Sequence, residues 1–131
     1  MALVHHDLCF GCGQTNLFGL LLEVERVDAD RVAGRCFIKQ DHQGPDRSTA
    51  HQGVIAAALC EAMALACGPA ARAVALSVEL TAADAPVGAF LDVQATVSRR
   101  DDHENHAAST ATSEGRPIAR ASGRFVLEQT V

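Results

Sequence analysis

The segment from Gly53 to Cys67 sets the tightest constraint on what this chain can fold into. After Gly53 it reads Val-Ile-Ala-Ala-Ala-Leu-Cys-Glu-Ala-Met-Ala-Leu-Ala-Cys, and its one charge is Glu61. Strong helix formers dominate it and Gly68-Pro69 closes it, so the composition predicts a helix over 53–67. At ~1.5 Å per residue such a helix extends roughly 22 Å. Its apolar residues run almost all round rather than along one stripe, so most of its sides must be covered by the rest of the chain. The many alanines let a sheet approach the helix axis closely. The same alanines, with Glu61 among them, make the apolar stretch up to Ala71 a poor bilayer span, and a buried helix is the better reading.

On either side of this helix the period is two. Leu20, Leu22 and Val24 alternate with Leu21, Glu23 and Glu25; after the turn Asp28-Ala-Asp30, Val32, Gly34, Cys36 and Ile38 alternate on a second strand, completing a hairpin. After the helix, strands are expected around Val74–Thr81, Leu91–Ser98, Ala107–Thr112 and Ala119–Glu128, separated by turns at 84–88, 101–105 and 113–117. Residues 1–17 are loop-like, and 41–50 form a polar loop. Two strands, one helix, then three or four strands imply a single α+β domain over 1–131, in which a largely antiparallel sheet is covered by one helix. One helix leaves the other sheet face and its edges unprotected, and dimerisation is the expected remedy.

Composition narrows the function. Hydrophobic residues make up 48% and charged residues 21%, which is a globular balance. A net charge of −5, no Trp, no Tyr and five Phe leave neither a basic stripe nor stacking platforms, which argues against nucleic acid as a partner. The N-terminus lacks the basic start and apolar run of a signal peptide, and five cysteines are an odd number, so reduced thiols and a cytoplasmic address are expected. Cys9 and Cys12 form a lone C-x-x-C. No second pair has matching spacing for a zinc ribbon, and a thioredoxin-like context is missing, so a structural turn is the favoured reading over metal or redox use.

Three segments resemble the hotdog-fold thioesterases, in particular their PaaI-like branch. The run Cys9-Phe-Gly-Cys-Gly-Gln-Thr-Asn-Leu-Phe-Gly-Leu20 is similar to a C-x-x-C-G-x-x-N-x-x-G-L opening. His42-Gln-Gly-Pro followed by His51-Gln-Gly-Val-Ile-Ala-Ala-Ala-Leu-Cys-Glu-Ala-Met63 resembles the loop and H-G-G-V…D-E-A-M helix. Pro86-Val-Gly88, Arg99-Arg100 and Gly115 fall where the remaining strands of that fold turn. The resemblance implies a curved antiparallel sheet of five to six strands wrapped around one central helix, a dimer or a dimer of dimers, and an acyl-CoA site at the subunit interface. It implies that a backbone N–H at the helix start, from Gln52 or Gly53, holds the thioester oxygen, where unpaired amides and the helix dipole favour negative charge. It also implies a catalytic carboxylate nine residues after the histidine. Here that position is Cys60, and the acid is its neighbour Glu61; the glycine expected after the histidine is Gln52. One residue is about 100° of helix rotation, so Glu61 does not simply replace a carboxylate at position 60.

The candidate site residues follow. Glu61 is the candidate general base, since desolvation on an apolar helix raises a carboxyl pKa unless it finds a partner. Cys60 is either a thiol nucleophile or a pocket-lining residue. His51 binds substrate or caps the helix, and Gly53 permits close approach. Gln43 and Ser77 are candidate substrate contacts, Ser77 through a family position that orients the attacking water. Arg99 and Arg100 are candidates for CoA phosphates. The expected function is hydrolysis of a small acyl-CoA-type thioester, with no metal and no cofactor apart from the coenzyme A of the substrate. The alternatives are a non-catalytic hotdog protein that binds acyl thioesters and, ranked lower, a MaoC-like enoyl-thioester hydratase using Asp46 and His51 at D-x-x-x-x-H spacing.

Overall fold

A computed structural model of the chain describes residues 1–127; Glu128, expected to extend the last strand, lies outside the described residues. The elements are β1 (Glu23–Arg26), β2 (Arg31–Phe37), a short 3-10 turn (Gln40–His42), α1 (Gln52–Cys67), β3 (Ala71–Leu80), β4 (Phe90–Arg100), β5 (Glu104–Ser113) and β6 (Arg116–Leu127). All six strands join one antiparallel sheet in the order β1-β2-β4-β5-β6-β3. The sheet curves around α1, which packs on β2, β3, β4, β5 and β6. Register shifts at Val74 of β3, Ser98 of β4 and Ile118 of β6 mark bulges, each of which bends a strand and adds twist.

The expected alternation is visible in the burial. Leu91, Val93, Ala95 and Val97 of β4 face the helix, as do Ala107 and Ala111 of β5 and Ala119, Ala121 and Phe125 of β6. On α1 the buried set is Ile55, Ala58, Leu59 and Ala62 to Cys67. Two features depart from the sequence reading. The first strand begins at Glu23 rather than Leu20, because Leu21 takes a positive φ of 51° and the N–H groups of Leu20 and Leu22 bond instead to Phe10 O and Gly11 O of the N-terminal segment. The turn at 84–88 does not join neighbouring strands: β3 lies at one edge beside β6, and the chain crosses to the middle of the sheet to begin β4.

Both ends of α1 are fixed by polar contacts. At the start, His51 is the N-cap, and its Nδ1 accepts the N–H of Gly53 at 2.8 Å. At the far end, Arg26 Nη2 donates to Leu65 O at 3.0 Å and Arg100 Nη1 to Cys67 O at 3.5 Å, placing cations at the negative pole of the helix dipole.

Two outcomes follow. Leu59→Ala removes a fully buried side chain between helix and sheet; a stability loss of about 2–5 kcal/mol is expected, read as a lowered urea midpoint with unchanged slope. His51→Ala removes the cap, with an expected loss of about 1 kcal/mol that His51→Asn largely restores, measured by the same titration.

Candidate functional site

The helix start is exposed. Gln52 and Gly53 lie on the surface, and beyond them Ala56, Ala57 and Cys60 are only half-buried while the opposite side of α1 is closed. Gly53, Ala57 and Cys60 are spaced four and three apart, so they form one open stripe running two turns down from the N-terminus. Of the two amides proposed to hold a carbonyl oxygen, that of Gly53 is taken by the His51 ring. Among the described residues nothing takes the N–H of Gln52. Gly53 is small for a local reason, since a Cβ there would come within 3.0 Å of His51 Nδ1.

Cys60 and Glu61 look in different directions. Cys60 lies on the open stripe, where burial, with the Glu61 charge adding to it, pushes its thiol above the ordinary value and keeps it protonated. Glu61 is rotated round the helix into the N-terminal segment. Its Oε2 lies 2.8 Å from His5 Nδ1 and accepts from the Cys9 thiol at 3.3 Å. Cys12 Sγ stands 3.4 Å from the same ring nitrogen and accepts the His5 backbone N–H at 3.1 Å. A Cβ on Gly11 would collide with Glu61 Cγ and Cδ, so the C-x-x-C turn and the helix meet in direct contact.

This cluster changes the electrostatics expected of Glu61. Burial pushes its carboxyl up, but hydrogen bonds from His5, Cys12 and Cys9 and the His5 charge outweigh that, leaving it below the usual carboxylate range. The hydrogen bond to Glu61 holds the His5 imidazole well above its ordinary value, at about 9, against the opposing effect of burial. Cys12 is pushed up to about 12, mainly by burial. The partner that relieves the carboxylate is thus the N-terminal segment, and the side chain is directed away from the open stripe. His5 was not among the residues singled out from the sequence. The available signal was His5-x-x-x-Cys9-x-x-Cys12, a third donor one turn ahead of the pair.

The remaining candidates are dispersed. Gln43 is exposed and bridges Ala50 through its backbone, which puts it beside the helix start. Ser77 pairs with Ser122 on the sheet face turned away from α1, in a groove of about 310 Å³ that Ser98, His106 and Arg124 also line. Arg99 pairs with Asp101, while Arg100 pairs with Asp30 and reaches Cys67 O, so both sit toward the end of α1 opposite the N-cap. Asp46 accepts from Ser48 N and Oγ at 2.8 and 2.7 Å and is engaged there, just as His51 is engaged with Gly53. Among the described residues no hydrogen bond joins Asp46 to His51.

No protein-family model and no curated protein matches the chain. Solved structures do. The PaaI protein of the phenylacetic acid degradation operon from E. coli superposes with a TM-score of 0.77 at 16% identity, covering 86% of this chain and 83% of that one. Thioesterase superfamily member 2 from Mus musculus gives 0.72 at 14% identity, covering 82% of each chain. Its zebrafish counterpart gives 0.74 at 18%, covering 87% and 86%. With six antiparallel strands curved around one helix and these neighbours along most of its length, the chain has the hotdog fold, the fold it shares with these solved structures.

Proposed function

We propose that the chain hydrolyses a small acyl-CoA-type thioester whose carbonyl sits at the start of α1. The acyl group would lie along the stripe of Gly53, Ala57 and Cys60. One observation carries this reading: an exposed, unpaired Gln52 amide at the positive pole of α1, opening onto a half-buried apolar stripe in a hotdog fold. Attack on a thioester carbonyl places negative charge on its oxygen, and a fixed amide at a helix start stabilises that charge. His51 supplies a second donor. Because its Nδ1 accepts the Gly53 N–H, the neutral ring carries its proton on Nε2. Gln43, exposed on the loop that bridges to Ala50, would meet the substrate from beside the helix start. Water adds to the carbonyl carbon, the C–S bond breaks, and the departing thiolate takes up the proton that water gives up. Coenzyme A enters only as part of the substrate.

The base expected at Glu61 loses its support, because that carboxylate is directed into the N-terminal segment. The stripe carries Cys60 where a carboxylate would activate water, and a thiol held protonated is a poor base and a poor nucleophile. Slow turnover is therefore expected. The same observation favours a second reading, in which the site binds acyl thioesters without cleaving them.

The site is completed, on this reading, by a second copy. Among the described residues nothing pairs with the outer side of strand β3, a ten-residue edge, and Leu76 and Leu80, which pair with Gly123 and Ala119 on the helix-facing side of the sheet, remain 44% and 41% exposed. An open apolar edge of that length invites pairing with its own copy. A homodimer, or a dimer of dimers, follows. No helix among the described residues is long and apolar enough to cross a membrane, and the five unpaired cysteines suit a reducing, cytoplasmic compartment.

A panel of acyl-CoAs assayed for free-thiol release tests hydrolysis, and Cys60→Asp tests the stripe. Returning a carboxylate to position 60 should raise kcat by about 100-fold or more. Competitive binding without thiol release in either protein would establish the second reading, and neither binding nor release would sink both. Leu76→Arg should convert the dimer to monomer in light scattering after gel filtration. A dimer of unchanged strength would place the interface elsewhere.

A further inference from the structure

We propose that His5, Cys9, Cys12 and Glu61 form a structural zinc site that staples the N-terminal segment to α1. The four donor atoms come from two distant parts of the chain, yet all lie within 4.8 Å of one another. A tetrahedral zinc ion with Zn–N and Zn–O of ~2.0 Å and Zn–S of ~2.3 Å sets its ligand atoms about 3.3–3.8 Å apart. The separations are 3.3 Å from Cys9 Sγ to Glu61 Oε2, 3.4 Å from Cys12 Sγ to His5 Nδ1, and 3.7 Å from Cys9 Sγ to His5 Nδ1. Of these four pairs, His5 Nδ1 to Glu61 Oε2 is the shortest at 2.8 Å, a direct hydrogen bond. Admitting the ion opens that pair by about half an ångström, and the other two pairs, both to Cys12 Sγ, lie within the same 4.8 Å.

The surroundings are those of a ligand shell. The His5 backbone N–H donates to Cys12 Sγ, an outer contact that stabilises sulfur as thiolate. The turn carrying both sulfurs is held by Gly13 N to Cys9 O at 2.9 Å and Leu20 N to Phe10 O at 2.7 Å. Cys12 is fully buried, whereas His5 and Glu61 keep 17% and 15% of their side chains exposed, which leaves a way in for an ion. The donor set, two sulfurs with one imidazole and one carboxylate, suits zinc rather than magnesium or calcium, which take oxygen. Four protein ligands fill a tetrahedron and leave no position for water or substrate, so the site is structural. Binding exchanges protons for metal: both thiol protons, and any proton on His5 Nδ1, pass to solvent as two Zn–S bonds, one Zn–N and one Zn–O bond form.

The inference stands independently of the proposed hydrolysis. Full-length protein freed of any histidine tag, reduced and dialysed, should contain one zinc per chain by plasma mass spectrometry. Cobalt exchanged for zinc should give the thiolate charge-transfer band and intense visible bands of a tetrahedral S-ligated ion. Cys9→Ser should halve that charge-transfer intensity, and both it and Glu61→Gln should weaken zinc binding by more than about 100-fold. Cys67→Ala, a thiol outside the cluster, should keep full stoichiometry. Because Cys12→Ser disturbs a buried position, Cys9→Ser with its far-ultraviolet circular dichroism compared to the parent carries the test. A folded, reduced protein that takes up no zinc or cobalt overturns the proposal. So does a metal-free purified chain lighter by two hydrogens, which would mark a Cys9–Cys12 disulfide.

Discussion

The structure depends on burying a helix that is apolar on nearly every side. Ala58, Ala62 and Ala66 bring the backbone of α1 close to the sheet, while Leu59 and Met63 fill the space between them. A helix so enclosed tolerates a charge only where a partner is supplied, since an unpaired buried carboxylate costs several kcal/mol or neutralises itself. Glu61 is the one such charge, and its partners are provided by residues 5–12 folded over that side of the helix. The N-terminal segment is therefore part of the core's electrostatics as well as its cover. The main-chain bonds from Leu20 and Leu22 back to Phe10 and Gly11 extend that cover into the start of the sheet.

Periodicity made the elements legible. The shift from period two to a continuous apolar run and back gave one helix between sets of strands, and the His51 and Gly68-Pro69 boundaries placed α1 within one residue. Partnership was not legible in the same way. Nothing in the 84–88 turn distinguishes a hairpin from a crossover, because both use the same turn chemistry; the choice is made by β6, which claims β3 as a neighbour across a long stretch of sequence, from Leu80↔Ala119 to Ala71↔Leu127. The early end of regular pairing at Leu21 likewise reflects competition for two N–H groups by a distant loop.

The candidate site was half legible. The motif around His51 located the helix start, and the displacement of the acid from position 60 to 61 warned that its direction would differ. It could not say what Glu61 faces, because that requires the N-terminal segment to be in place. Cysteine spacing carries no sign of the partners of Cys9 and Cys12, which are a histidine four residues before the pair and a carboxylate 52 residues after Cys9.

A single-residue shift on a helix thus separates two chemistries that share a motif. At position 60 a side chain continues the stripe that begins at Gly53. At position 61, about 100° away, it leaves that stripe altogether. The carboxylate that would activate water on one side serves instead to hold the N-terminal turn on the other, and the two duties exclude each other because one carboxylate cannot face both ways. Hydrogen bonds that lower the Glu61 pKa strengthen its hold on His5 and the thiols while making it a weaker base. The open stripe is left with the fixed donors at the helix start, and the cap geometry of His51 decides which of the first amides remains free.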